Sequence, residues 1–202
     1  MGSVNTNDLI AFVVVAFALT GSPGPATLSL AATGAAYGFK AGRNYLVGLI
    51  VGVMIVVTGT AAGMFAVITA IPGAAGALTL FASAYIGYLA FRIATTPPIG
   101  EPAATSTCPG FLAGVILNLS NPKAYAAFAA LFSGFMLVPT APELSAVVQV
   151  GICFLVLCVI NPTWLLIGSV LRRTLRDQQT SRWVNRGFAV LLVASVALTV
   201  FL

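Results

Sequence analysis

Lys123 stands near the middle of a long apolar stretch, shortly after Asn118 and Asn121. The other basic residues lie at the ends of apolar stretches or in the connections between them. A charge at the centre of a bilayer is costly, so an ammonium group there is expected to face a cavity or a partner. The position of Lys123 therefore predicts a site at which its ammonium binds a carboxylate.

A second group of residues with unusual chemistry, Pro23-Gly24-Pro25, interrupts the first apolar stretch. Two prolines within three residues remove backbone donors and collide with the preceding turn, so a helix cannot run through them unbroken. Asn121-Pro122 makes a similar interruption in the fourth stretch. Broken backbone at membrane depth is tolerated only where it is packed in protein or lines a wet cavity. Both interruptions therefore indicate a site.

Each interruption starts a new helix, and the first N–H groups of a helix attract anions. These groups lie near Gly24, Ala26 and Thr27 in one half of the chain and near Lys123 and Ala124 in the other. Together with the Lys123 ammonium they would form the end of a site that holds a carboxylate.

The opposite end of the predicted site consists of oxygen atoms that can accept hydrogen bonds from an ammonium. They are the side-chain oxygens of Asn118 and Asn121 and the upstream carbonyls of Leu19, Thr20, Gly21 and Asn118. A carboxylate at one end and an ammonium at the other describe an amino acid. Since no Asp or Glu lies deep in a span, neutral or small amino acids are favoured. The predicted substrate-binding residues are Gly21, Ser22, Pro23, Gly24, Pro25, Thr27, Asn118, Asn121, Pro122 and Lys123.

The composition decides which elements hold these residues. Of the 202 residues, 59% are hydrophobic and 6% are charged, so a soluble domain could not cover its core with polar surface. We expect an all-α integral membrane protein, a single domain over residues 1–202 with six transmembrane helices. The predicted spans are about 8–33, 45–70, 74–93, 111–138, 145–171 and 183–202, with Lys40 and Arg43 in the first connection.

A polar, proline-rich loop at residues 96–110 divides the chain into two halves, about 8–95 and about 111–202. Each half has three spans, an odd number, so related halves would have opposite orientations in the membrane. The interruptions in helices 1 and 4 then correspond, and both lie near the midplane. Interrupted helices at matching positions of two inverted repeats are typical of a transporter site.

The basic residues give the orientation and the partners. Nearly all of them lie in the 1–2, 3–4 and 5–6 connections, which predicts that these are cytoplasmic and that both termini are outside. The arginines that follow span five are placed to bind anionic lipid headgroups. The basic residues form no patch interleaved with aromatic residues, so binding to nucleic acid is not predicted. The spaced glycines of span two indicate close helix packing and are compatible with a homodimer.

Metal and cofactor chemistry is not predicted. Histidine is absent, there is no acidic cluster, and Cys108, Cys153 and Cys158 form no CxxC pair. We therefore expect no metal site and no cofactor.

Several motifs together resemble the LysE/RhtB family of bacterial amino-acid exporters. They are Ser22-Pro23-Gly24-Pro25, the glycines Gly34, Gly38, Gly42 and Gly48, the stretches 84–89 and 182–187, and above all Asn118-Leu119-Ser120-Asn121-Pro122-Lys123-Ala124. The resemblance covers nearly the whole chain. It implies a six-span, multi-pass transporter of the bacterial cytoplasmic (inner) membrane that exports amino acids or related metabolites with the proton motive force. It also marks Pro23-Gly24-Pro25 and Asn121-Pro122-Lys123 as paired signatures. The last predicted helix departs from the family pattern because Gly187 is its only glycine, and the way in which this helix packs is therefore left open.

The proton carrier is open at this stage, because no span contains a deeply placed carboxylate or histidine. One hypothesis is that Lys123 alternates between its protonated and neutral forms, and another is that Asp8, at the outer mouth, accepts the proton.

Other interpretations remain beside the amino-acid exporter. The same scaffold could export another small solute. Ser22 or Ser120 could pair with Lys123 as a serine-lysine hydrolase. The prolines could kink helices for packing alone while Lys123 reaches an interface, and Asn161-Pro162 is interpreted as such a kink.

Overall fold

Three of the described helices begin at a proline. The computed structural model describes residues 6–63 and 107–174 and isolated positions between 71 and 194, and all regular structure in these residues is helical. The continuous ranges contain six helices, α1 (Thr6–Gly21), α2 (Pro25–Tyr37), α3 (Phe39–Ala61), α4 (Phe111–Leu119), α5 (Pro122–Gly134) and α6 (Pro142–Thr174). The prediction of an all-α protein is confirmed at this level.

The first apolar stretch is a broken helix. Helix α1 ends at Gly21, α2 starts at Pro25, and the two are bent by 56°. Gly24 caps α2 in an extended conformation, and Pro25 takes the first helical position, where its missing N–H is not needed. The fourth stretch repeats this arrangement, with Asn121 as the extended cap and Pro122 as the first residue of α5.

Two of the described helices are long and apolar enough to cross a membrane, and the bent α1–α2 pair would make a third. These two are α3 and the segment Pro142–Leu171 of α6. Val47, Val51 and Ile55 form an exposed apolar stripe along α3. A stripe of this kind fits a lipid-facing surface, because hydrocarbon solvates it at no cost.

Some boundaries differ from those expected. Helix α3 begins at Phe39, so Lys40 and Arg43 lie in its first turns and not in a polar connection. The turn between α2 and α3 is reduced to Gly38, whose φ of 84° suits glycine. Lys and Arg are good helix formers and extend a helix into the interface. The fourth predicted span ends at Gly134, earlier than expected. The third and sixth predicted spans lie mostly outside the described residues, which include only isolated positions of each.

Glycines let two helix pairs approach until their backbones touch. A side chain on Gly168 of α6 would collide with the Ala31 carbonyl of α2, and one on Gly48 of α3 would collide with the Phe111 carbonyl of α4. Gly52 lies against Val115 on the same face of α3. The expectation that the glycines of span two admit a neighbouring helix is thus confirmed for Gly48 and Gly52.

Two apolar clusters lie on either side of the helix breaks. The first joins the α2 end of the broken helix to α3, α4 and α6, with Leu30, Leu49 and Leu165 fully buried. The second joins α1, α3, α5 and α6 around Phe12 and Leu131. The polar residues of the breaks are therefore held between two apolar layers.

Candidate functional site

The first break is organised by its own hydroxyl groups. The Ser22 hydroxyl donates to the Leu19 carbonyl at 2.8 Å, which satisfies an acceptor at the end of α1. The Thr27 hydroxyl accepts from the Gly24 N–H at 3.0 Å and lies 3.2 Å from the Gly24 carbonyl. The break is thus a defined turn, in which two hydroxyl groups satisfy part of the exposed backbone.

The second break is tied to a neighbouring helix. The Asn118 side-chain amide donates to the Leu49 carbonyl of α3 at 2.7 Å, and both residues are buried. The Asn118 carbonyl accepts from the Asn121 N–H at 3.1 Å. The Tyr125 hydroxyl reaches back to the Leu119 carbonyl at 2.9 Å. The Asn121 N–H therefore replaces the donor that Pro122 lacks, and the Tyr125 hydroxyl supplies a donor to the next carbonyl.

Lys123 joins the two breaks. Its Nζ donates to the Ser22 hydroxyl at 2.7 Å, to the Ser22 carbonyl at 3.1 Å and to the Pro23 carbonyl at 3.1 Å. An ammonium has three donors, and these three oxygens use all of them. All three acceptors are neutral, so the dipoles of these oxygens solvate the positive charge.

The carbonyls that hold an ammonium differ from those expected. Leu19 and Asn118 carbonyls were predicted to be open acceptors, but they accept from the Ser22 hydroxyl and the Asn121 N–H. The acceptors in use are the carbonyls of Ser22 and Pro23, which lie further along the chain because α1 continues to Gly21. The ammonium that occupies them belongs to Lys123 itself.

A cavity of about 50 Å³ lies at the level of the breaks. A water needs roughly 10–15 Å³ by the same measure, so the cavity holds a few waters and is too small for an amino acid in this conformation. Apolar side chains, among them Val53, Phe128 and Leu157, line one part of it. Its polar lining comes from Thr20, Ser22, Thr27, Asn118, Asn121, Lys123 and Asn161.

The structure brings most of the predicted substrate-binding residues to this cavity. Those that line it are Ser22, Gly24, Pro25, Thr27, Asn118, Asn121 and Lys123. Gly21 and Pro122 lie at helix ends and Pro23 in the first break, and these three do not line it. The Pro23 carbonyl nevertheless binds Lys123. Asp8 lies in the first turn of α1 and not at the cavity. At 1.5 Å per residue it is roughly 20 Å along the chain from Ser22.

Asn161 was interpreted as part of a kink, and the structure also places it at the cavity. It is 4% exposed and lies on α6, directly before Pro162 inside the helix. Three asparagines from three different elements thus line one small space. The available signal was an asparagine beside a proline in an apolar stretch, the pattern that singled out Asn121.

Asn121 has an acceptor that lacks a donor. Its side-chain Oδ1 is buried and has no hydrogen-bond partner, although the residue is 4% exposed and lines the cavity. An unpaired buried acceptor costs free energy unless a water or ligand supplies the donor. The cavity therefore combines a cation, helix N-termini and an unused acceptor.

Ser22 and Lys123 are close enough for a serine-lysine pair, but their hydrogen bonds do not favour a nucleophile. The Ser22 hydroxyl donates to the Leu19 carbonyl and accepts from Lys123. The lysine thus acts as a donor to the serine and not as a base that removes its proton. In the described ranges, no three Cys, Asp or Glu side chains come together as metal ligands.

Comparison with known proteins gives one family. Residues 17–201 match the family described as LysE type translocator. A cysteine/O-acetylserine efflux protein of Escherichia coli (strain K12) is 30% identical over 173 residues, which cover 85% of this chain and 87% of that protein. Proteins of the same description from Shigella flexneri serotype 5b (strain 8401) and Escherichia coli O6:H1 (strain CFT073) match with the same identity and coverage. No solved structure matches the chain significantly.

Proposed function

We propose that this chain, which belongs to the LysE type translocator family, exports small neutral amino acids through the cavity between its two helix breaks. The family and the relatives named as efflux proteins make it a membrane transporter and not an enzyme. The substrate class is the part that we infer from the site.

The observation that carries the proposal is the environment of the Lys123 ammonium. It lies at the cavity, its three acceptors are neutral, and the N-termini of α2 and α5 are beside it. Positive charge and helix N-termini together favour an anion. A substrate carboxylate is therefore expected to bind Lys123, while the buried Asn121 Oδ1 and the break carbonyls favour an ammonium at its other end.

The size of the substrate follows from the walls of the cavity. Val53, Phe128 and Leu157 line the apolar part of the cavity, which has to widen for any substrate, and a short side chain needs the smallest widening. Asn161 and Thr20 offer hydrogen bonds to a small polar group. The relatives' names specify cysteine and O-acetylserine, two small amino acids with polar side chains, which supports the same class here.

The proposed arrangement in the membrane is six spans in two inverted repeats. Helix α2 leads directly into α3 through Gly38. Gly48 and Gly52 of α3 lie against Phe111 and Val115 of α4, so these two helices run in the same direction where they touch. This supports the proposal that α1–α2 and α4–α5 cross the membrane in opposite directions. With the basic connections in the cytoplasm, both termini lie outside the bacterial inner membrane. Anionic lipids and a homodimer partner complete the proposed contacts.

Export against a gradient would be driven by the proton motive force. If Lys123 carries the proton, Lys123→Arg should change the pH dependence of transport, because arginine stays protonated. If Asp8 carries it, Asp8→Asn should abolish accumulation while leaving exchange intact. A variant whose pH dependence and accumulation equal those of the wild type would exclude the corresponding residue as the proton carrier.

Uptake of labelled amino acids into inside-out vesicles tests the proposal. The panel contains cysteine, O-acetylserine, serine, threonine and lysine, each measured with and without an uncoupler. We expect uptake of the small neutral members that the uncoupler abolishes. Uptake of none of them by folded protein would reject the substrate class and point to another small solute on the same scaffold.

A further inference from the structure

We propose that Lys123 is a tethered competitor that occupies the substrate's ammonium position and yields it only to a zwitterion. This inference rests on the proposed function and names how the same site selects its substrate. It would explain why the protein places a lysine against neutral oxygens when a carboxylate is the natural partner of an ammonium.

The receptor for the ammonium is built entirely from the first break. Two backbone carbonyls, of Ser22 and Pro23, and the Ser22 hydroxyl surround Nζ at 2.7 to 3.1 Å. We call these three oxygens the ammonium cradle. None of them depends on Lys123 for its position, because the Ser22 hydroxyl is fixed by the Leu19 carbonyl and the backbone by the α1 end and the α2 cap. Any primary ammonium of the right reach therefore fits the cradle.

Displacing Lys123 has a cost that depends on what replaces it. A carboxylic acid without an amine would bind Lys123 and leave the Ser22 hydroxyl oxygen and the Pro23 carbonyl without donors, while the Ser22 carbonyl would keep the Thr27 hydroxyl at 3.3 Å. An amine without a carboxylate would fill the cradle but leave two ammonium groups close together with no anion between them. An amino acid supplies a donor group to the cradle and a carboxylate to Lys123. Only a zwitterion therefore replaces both the hydrogen bonds that Lys123 gives up and the partner that its charge needs.

The space around Gly24 supports direct competition for one position. A Cβ built on Gly24 would lie 2.8 Å from Lys123 Nζ and 2.9 Å from its Cδ. The lysine end therefore fills the room that the missing side chain leaves beside the cradle. Since the cradle has three oxygens and the cavity beside it is only about 50 Å³, a substrate ammonium can enter the cradle only when the lysine ammonium has left it.

The first experiment uses the wild-type chain in lipid nanodiscs with lysine labelled at Cε. The chain has two lysines, Lys40 and Lys123, so Lys40→Arg leaves one lysine side-chain signal and assigns both. We expect reduced L-cysteine to shift the Lys123 signal, while cysteamine, which lacks only the carboxylate, leaves it unchanged. A shift of equal size with both compounds would overturn the proposal, because an amine alone would then displace the lysine.

The second experiment opens the cradle with Lys123→Met, which keeps an unbranched side chain and removes the ammonium. We expect cysteamine to bind this variant about tenfold or more tightly than it binds the wild type, and L-cysteine to lose its advantage. A folded variant with no gain in cysteamine binding would overturn the proposal. If L-cysteine does not bind the wild type but Lys123→Met binds cysteamine more tightly than the wild type does, the substrate assignment fails and the competitor role of Lys123 stands.

Discussion

Gly168 in α6 lies directly against the carbonyl oxygen of Ala31 in α2, with no room for a side chain between the two helices. Because the obstacle is backbone, a methyl group there must separate the helices, and overpacking of this kind costs about 1–3 kcal/mol. Gly168→Ala should therefore lower the thermal unfolding midpoint in detergent. Gly151→Ala in the same helix, where a Cβ meets nothing, is the control and should keep or raise it. Equal midpoints for the two variants would show that α2 and α6 do not make this contact.

Asn118 and Asn161 should separate stability from transport, although both line the cavity. The Asn118 amide is bonded to the Leu49 carbonyl, so Asn118→Ala is expected to lower stability by about 1 kcal/mol as well as uptake. Asn161→Ala should reduce uptake with a smaller change in the unfolding midpoint. Vesicle uptake and thermal unfolding of the two variants check this. An Asn161→Ala variant with wild-type uptake would remove Asn161 from the site.

Gly24→Ala should impair transport although it does not strain the backbone. Gly24 is in an extended conformation that alanine adopts, but its Cβ would lie 2.8 Å from Lys123 Nζ. The methyl group would expel the lysine end and obstruct the cradle for any ammonium, so uptake should fall about tenfold or more. Gly134→Ala, where a Cβ meets nothing, is the matched control. Wild-type uptake by Gly24→Ala would place the transport path elsewhere.

Cys108 offers a test of orientation, because it lies in the connection predicted to be cytoplasmic, with its thiol 3.4 Å from the Ala41 carbonyl. In a chain carrying Cys153→Ala and Cys158→Ala, an impermeant maleimide should label Cys108 in inside-out vesicles and not in intact cells. Adding Ser3→Cys in a chain with Cys108→Ala should give the reverse pattern. Labelling of Cys108 from outside would invert the proposed topology.

The two breaks could be predicted because proline acts on its own turn. Pro25 and Pro122 lack an N–H, and each takes the first position of a helix, where that N–H is not needed. The start of α3 at Phe39 is earlier than the predicted start of the span at about residue 45, because a lysine or arginine at a membrane interface continues a helix and does not end it.

Contacts between distant residues were beyond local rules. Lys123 and Ser22 are 101 positions apart, and nothing in either stretch specifies that the lysine should use its three donors on the other break. The same holds for Asn161, whose position at the cavity depends on how α6 packs against α2 and not on its neighbours in sequence. Residue type and depth thus indicated candidate residues, and tertiary packing determined their partners.

The central claim, that Lys123 at the cavity binds the exported amino acid, is tested most directly by uptake of labelled L-cysteine into inside-out vesicles. The wild type, Lys123→Ala and Lys40→Ala are compared at equal expression. Lys40→Ala is the control, because it removes the other lysine of the chain, which lies at the exposed start of α3. We predict uptake by the wild type and Lys40→Ala, and a fall of about tenfold or more in Lys123→Ala. Undiminished uptake by a folded Lys123→Ala protein would contradict the account.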